Sequence, residues 1–219
     1  MQAVTGDEMK SIDNYCIKNL GIPGIVLMEN AALKVIKNID LNRHGLFTIV
    51  CGTGNNGGDG LAVGRHLIVN GKNVEIYIIG RMEKGSKDFL TNYNILKNMG
   101  TELRYIGGTG DLKRLKDSIL QSDIIIDSIF GTGLKRDIGG IYKDVIQVIN
   151  DNSKYTLSID MPSGLDSDTD RIFGTSIKAN KTVTFQLLKK GLLHNEEHTG
   201  EVIVEPIGMP RMAIDSINR

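Results

Sequence analysis

The side chains best suited to chemistry fall in three stretches, each following a short apolar run. Phe47-Thr48-Ile49-Val50 leads into Cys51-Gly52-Thr53-Gly54-Asn55-Asn56-Gly57-Gly58-Asp59-Gly60. Ile124-Ile125-Ile126 leads into Asp127-Ser128-Ile129-Phe130-Gly131-Thr132-Gly133-Leu134-Lys135-Arg136-Asp137. Tyr155-Thr156-Leu157-Ser158-Ile159 leads into Asp160-Met161-Pro162-Ser163-Gly164-Leu165-Asp166. A carboxylate at the buried end of a strand is costly unless it is paired or bound to a cation. One such residue can serve as a helix cap. Asp59, Asp127 and Asp160 together favour acid–base chemistry or ion binding, because such settings perturb carboxyl groups.

Gly52-Thr53-Gly54-Asn55-Asn56-Gly57 satisfies G-x-G-x-x-G between an expected strand and an expected helix. Glycines there bring backbone N–H groups close to a phosphate at the positive end of a helix. The acidic residue that a hydride-transfer fingerprint needs about 20 positions later is missing, since the second strand ends Ile79-Gly80-Arg81. No lysine followed by Ser or Thr succeeds the glycines, so a Walker A loop is excluded. His194-Asn195-Glu196-Glu197-His198 matches H-x-x-E-H, but Thr199-Gly200 stops any helix at once, and the stretch reads as a solvated turn. Met161 stands where a nucleophile elbow needs glycine, so Ser163 reads as a ligating or hydrogen-bonding serine.

The elements that must position these loops alternate. Helical spacing marks the first forty residues, broken at Gly21-Ile22-Pro23-Gly24. Strands follow at 47–50, 74–79, 124–127, 155–160, 182–185 and 202–204, with helices near 60–70, 87–98, 111–121 and 141–150. Strands separated by helices imply βαβ units and a mostly parallel sheet covered on both faces, an α/β class. In such a sheet the three polar loops share one edge and would build one pocket. Residues after Gly208 carry little pattern.

Composition narrows the function classes. Lys plus Arg equals Asp plus Glu at 26 each, so no basic excess points to nucleic acid or to a polybasic membrane anchor. The 26 glycines among 219 residues come with only 4 prolines and no Gly-X-Y period, so the chain is neither collagen-like nor a disordered tract. Cys16 and Cys51 are too far apart for a zinc or redox motif and suit a reducing compartment. No apolar run nears 18 residues, and the opening residues lack a signal-peptide pattern. A cytoplasmic protein of one domain over 1–219, with a core at about 9–208, is expected.

Asn55-Asn56-Gly57-Gly58-Asp59-Gly60, the Asp127–Asp137 stretch and Asp160-Met161-Pro162-Ser163-Gly164-Leu165-Asp166 resemble the hallmark loops of the NAD(P)H-hydrate epimerase family, also called the YjeF N-terminal domain. The similarity runs from Met9 to about Ile207, and includes Lys190-Gly191-Leu192 through Gly200-Glu201-Val202. The resemblance implies a Rossmann-like three-layer α/β/α sandwich. It implies interconversion of the R and S forms of hydrated NADH and NADPH, so that an ATP- or ADP-dependent dehydratase, separate or fused, can restore the cofactor. Asn55, Asn56, Gly57, Gly58, Asp59, Gly131, Thr132, Gly133, Leu134, Lys135, Arg136, Asp137, Tyr142 and Asp160 would hold the hydrated nucleotide. Asp160 would be the acid–base group. Asn56, Asp127 and Ser163 would give oxygens to one potassium ion. A homodimer is implied, with no nucleic acid and no membrane as partner. Two alternatives stay open: a nicotinamide-dependent reductase, and a non-catalytic binding module, since the domain also occurs in an RNA-decapping enhancer and an apolipoprotein-binding protein.

Overall fold

The computed structural model describes residues 3–218. A two-residue strand, β1 (Ala3–Val4), leads into α1 (Gly6–Asn14). Thr5 and Glu8 cap that helix reciprocally: Thr5 Oγ1 accepts from the Glu8 amide (3.1 Å) and the Thr5 amide donates to the Glu8 carboxylate (2.7 Å). A π-helical turn, Tyr15–Asn19, precedes the expected break, and α2 (Gly24–Lys37) follows Pro23. Then come β2 (Leu46–Cys51), α3 (Asn55–Val69), β3 (Asn73–Ile79), α4 (Lys87–Asn98), β4 (Leu103–Ile106), α5 (Leu112–Gln121) and β5 (Ile124–Ser128). The chain continues through α6 (Ile141–Asn152), β6 (Thr156–Ile159), β7 (Lys181–Phe185), β8 (Leu188–Lys189), α7 (Glu196–Thr199), β9 (Glu201–Glu205) and α8 (Arg211–Ile214).

Seven strands form one sheet in the order β4-β3-β2-β5-β6-β7-β9, every neighbouring pair parallel. Alternate residues feed two cores. Phe47, Ile49, Cys51, Ile76, Ile78, Ile124 and Ile126 pack with α1 to α4. Val50, Tyr77, Ile79 and Ile125 pack with Leu115, Ile119, Val145, Ile146 and Ile149 from α5 and α6. Helices on both faces make the three-layer α/β/α sandwich that the strand–helix alternation implies. Full burial of each such Ile or Leu contributes roughly 1.5–3 kcal/mol.

The sheet order reverses between β2 and β5, and there the helices leave opposite faces and open a crevice at the strand carboxyl ends. All three polar stretches end on that edge. Four features depart from the sequence reading. β4 has only four residues and went unread; β1 and β8 form a separate parallel pair, with Val4 opposite Lys189. The residues after Gly208 are not patternless, since α8 buries Ala213 completely. And α3 begins at Asn55, so Asn55 to Gly60 are its first turns and not a loop.

Candidate active site

The β2–α3 turn is held tight by backbone contact. Gly52 N donates to Ser128 O across the switch point (3.0 Å). Gly54 is the N-cap, extended and without a capping side chain, and the first intrahelical bond runs from Gly58 N to Gly54 O (3.0 Å). The amides of Asn55, Asn56 and Gly57 therefore open into the crevice, as first-turn donors do. Glycine is required at 57 by close approach: a Cβ there would overlap the carbonyl oxygen of Gly52.

Asp127 lies wholly inside, at the end of β5. Its Oδ2 accepts from Ser158 Oγ (2.8 Å) and Ser163 N (2.8 Å), and its Oδ1 from Ser163 Oγ (2.5 Å) and Ile129 N (3.3 Å). Burial pushes its carboxyl upward, against the pull of these donors. Ser163 Oγ also accepts from Phe130 N (2.9 Å), so Asp127 and Ser163 tie the second and third loops together. Asn56 is buried, with neither its Oδ1 nor its Nδ2 hydrogen-bonded. Gly131 lies between Asn56 and Asp160: a Cβ on it would be 3.3 Å from Asn56 Cβ and 3.6 Å from Asp160 Oδ2. A carboxamide, a carboxylate and a hydroxyl are hard oxygen donors, and the unpartnered Asn56 oxygen suits a hard monovalent cation. Among the described residues no group of three or more His, Cys, Asp or Glu is placed to hold a metal ion.

Asp160 follows β6 in the left-handed region, with φ 64°. For a non-glycine residue this costs about 1–3 kcal/mol and persists only where the surroundings impose it. Here they do. Asp160 N donates to Val183 O (2.8 Å), and Oδ1 accepts from Lys189 Nζ (2.6 Å) and Thr184 Oγ1 (3.1 Å). Further carboxylates face it. Asp59, on the first turns of α3, is pushed well above the ordinary range by burial first, then by Asp160, Asp13 and Asp88. Asp13, on α1, is pushed up to about 6, again by burial first and then by Asp160. Lys189, Thr184 and Asp13 were not legible as site residues, because no local pattern links them to the third loop.

The middle loop is more committed than its sequence suggests. Lys135 Nζ lies 3.7 Å from Asp168 and 3.9 Å from Asp7, and Asp137 accepts from Arg171 (3.0 Å). Gly131 and Thr132 are half-buried, Leu134 joins the second core, and Gly133 and Arg136 are exposed. Tyr142 packs on Phe130 with ring centroids 5.1 Å apart. Its hydroxyl stands over Gly80, where φ is 128° and a Cβ would come within 3.1 Å of it. Glycine at the end of β3, in place of an acid, thus makes room for Tyr142. The reading of residues 194–198 as a solvated turn needs correction. His194 is exposed, but His198 is buried with Nδ1 3.1 Å from Ile177 O, because α7 packs back on the sheet. Two surface hollows lie away from this edge, one beside Asn150 and His198, the other beside Leu33 and Ile207.

The model of a family described as YjeF-related protein N-terminus matches residues 24–191. A NAD(P)H-hydrate epimerase of Anaerococcus prevotii is 42% identical over 99% of this chain and 100% of its own length. The chain belongs to the YjeF N-terminal family. A NAD(P)H-hydrate epimerase of Limosilactobacillus reuteri is 38% identical, covering 92% of this chain and 93% of its own. The bifunctional NAD(P)H-hydrate repair enzyme Nnr of Moorella thermoacetica is 40% identical over 98% of this chain, which spans 42% of that protein. The crystal structure of yeast ynu0 superposes with a TM-score of 0.84 at 22% identity, covering 100% of this chain and 94% of that one, a likeness of fold. The YjeF N-terminal match takes in all three loops, Asp160 and Lys189. It leaves out β1 and α1, and with them Asp13.

Proposed function

We propose that this chain is a NAD(P)H-hydrate epimerase, one YjeF N-terminal domain that interconverts the R and S forms of hydrated NADH and NADPH. The observation that carries this reading is Asp160, strained and anchored through Oδ1, with Oδ2 turned to the crevice beside Asn56 and Gly131. The amides opening α3 and the Gly131–Asp137 stretch take the nucleotide, with Tyr142 packing beside it. Asp160 works on the hydroxyl at C6 of the reduced ring. Proton transfer to that hydroxyl lets water leave as ring N1 pushes its electron pair into an iminium. Water adds to the opposite face of C6 and returns its proton to the carboxylate, so the centre inverts with no net change in atoms. Burial and the neighbouring carboxylates push Asp59 well above the ordinary carboxyl range, which favours the neutral form that can donate to the nucleotide over a second negative charge that would repel it.

Asn56, Asp127 and Ser163 would hold a potassium ion. When bound, that ion would supply positive charge between the loops. The product goes to an ATP- or ADP-dependent dehydratase acting on the S form, and the reading includes a cytoplasmic homodimer. Among the described residues no helix is long and apolar enough to cross a membrane. The test is direct: isolated R and S hydrates are incubated with the purified chain and followed to equilibrium. Each should convert to the same mixture. Persistence of either pure form would sink the proposal.

A further inference from the structure

Lys189 is an unusual lysine. Its side chain is 1% exposed, yet it carries a charge that burial penalises unless every donor is satisfied. An ammonium has three donors. All three are used: Nζ donates to Asp160 Oδ1 (2.6 Å), to Phe185 O (2.8 Å) and to Thr184 Oγ1 (3.0 Å). Thr184 Oγ1 in turn donates to the same Asp160 Oδ1 (3.1 Å). No hydrogen is left to reach a ligand, so Lys189 does not bind the nucleotide or carry its proton. Both side-chain donors converge on one carboxylate oxygen, and Oδ2 is the oxygen left toward Gly131.

We infer that Lys189, braced by Thr184, is a positioning residue that locks Oδ1 of Asp160 and so aims Oδ2 at the reacting carbon. The inference rests on the epimerase reading of the same site. The clamp also explains why a strained backbone is tolerated at Asp160: a charge-assisted bond on the side chain and the Val183 carbonyl on the amide fix it from both ends. An orienting partner of this kind acts on turnover more than on affinity, because misplacement by about 1 Å can cost about 10²-fold in rate.

The experiment compares Lys189→Met, which keeps the aliphatic volume and removes cation and donors, with wild type and Thr184→Val. Epimerisation of the hydrates gives kcat and KM, and titration with NADP gives the fraction of folded, binding-competent protein. Lys189→Met should lower kcat by about 10²-fold, with KM and NADP affinity within about twofold of wild type. It should also move the limb of the kcat profile that Asp160 governs to higher pH, since the ammonium that favours the carboxylate is gone while Asp13 from α1 and Asp59 from α3 remain, with Asp88 of α4 beyond. A variant that was only less stable would keep the wild-type profile. If Lys189→Met does not fold, Thr184→Val decides, with a smaller fall in kcat at unchanged KM expected. Wild-type kcat and pH profile in whichever variant folds would overturn the clamp while leaving the epimerase reading intact. A wild type that leaves both hydrates unconverted would remove that reading and the inference with it.

Discussion

In the proposed reaction Asp160 concentrates the chemistry because its two oxygens face different surroundings, a fixed cation and hydroxyl on one side and the crevice on the other. Asp160→Asn keeps the shape but cannot shuttle a proton, and losing general acid–base catalysis costs about 10²–10⁴ in rate. Epimerisation should fall by that factor with NADP binding and the circular dichroism spectrum retained. A variant keeping more than half the wild-type rate would remove Asp160 from the mechanism. Asp13 yields a second expectation, in stability. Its pKa is raised to about 6 in the fold, so ionising it disfavours the native state. The penalty is absent below the ordinary carboxylate value near 4, grows as pH rises, and is complete above about 6. Asp13→Asn should therefore raise the melting temperature at pH 8, where the relief is on the order of 3 kcal/mol, and give no gain at pH 3.5. An equal gain at both pH values would show that packing and not ionisation is responsible. At this scale Asp59, Asp127 and Asp160 were legible because acids at strand ends are chemically anomalous. Lys189 and Lys190 are neighbours of one type, and only the tertiary fold distinguishes the buried one from the exposed one.

The N-terminus of α3 is where element and site coincide. Its glycine-rich start reads as loop by propensity, because glycine and asparagine are poor helix formers. Tertiary contact overrides this: the helix must start beneath the Gly52 carbonyl, and only glycine at 57 lets it. The same shortness hides β4, a four-residue strand with one buried residue. Long strands such as β2 and β3 were legible because both-face burial demands continuous apolar runs. A ranking of variants follows from α3. Gly57→Val should unfold the β2–α3 turn, lowering the melting temperature as well as NADP affinity. Gly54→Ala meets open space and has an ordinary φ of −84°, so it should leave stability within about 0.5 kcal/mol of wild type. Lys135→Ala should change NADP affinity by less than about threefold (under 1 kcal/mol), since exposed ion pairs with Asp168 and Asp7 already engage that lysine. Isothermal titration beside thermal melts ranks the three. If Lys135→Ala loses several kcal/mol of affinity while Gly57→Val loses almost none, side-chain charge dominates and the helix-terminus account is wrong.

Across the whole molecule, the order β4-β3-β2-β5-β6-β7-β9 brings residues distant in sequence to one crevice, and β1 pairs with β8 beside it from the far end of the chain. β1 adds only a two-residue ladder to β8, but one of its register pairs is Val4 with Lys189. Gly6 N donates to Asp168 (2.6 Å), and a Cβ at Gly6 would stand 3.2 Å from Thr132 O, so α1 is seated against the second and third loops. That role was not legible: two residues of strand have no period, and nothing local announces a partner beyond position 180. Deleting residues 1–4 removes β1 and keeps Thr5 with its capping box. The loss of buried Val4 costs roughly 1.5–3 kcal/mol, which in a chain of this size lowers the melting temperature by about 3–12 °C. Wild-type stability should exceed that loss, since domains generally retain 5–15 kcal/mol, so the shortened chain stays folded at 25 °C. Its kcat should nonetheless fall by more than about tenfold, because β8 loses its only partner in that small sheet and Lys189 gains freedom and water beside Asp160. Turnover per folded molecule, normalised by NADP titration, is the quantity to measure. Unchanged turnover at a lowered melting temperature would show that β1 stabilises the fold without helping to hold the clamp.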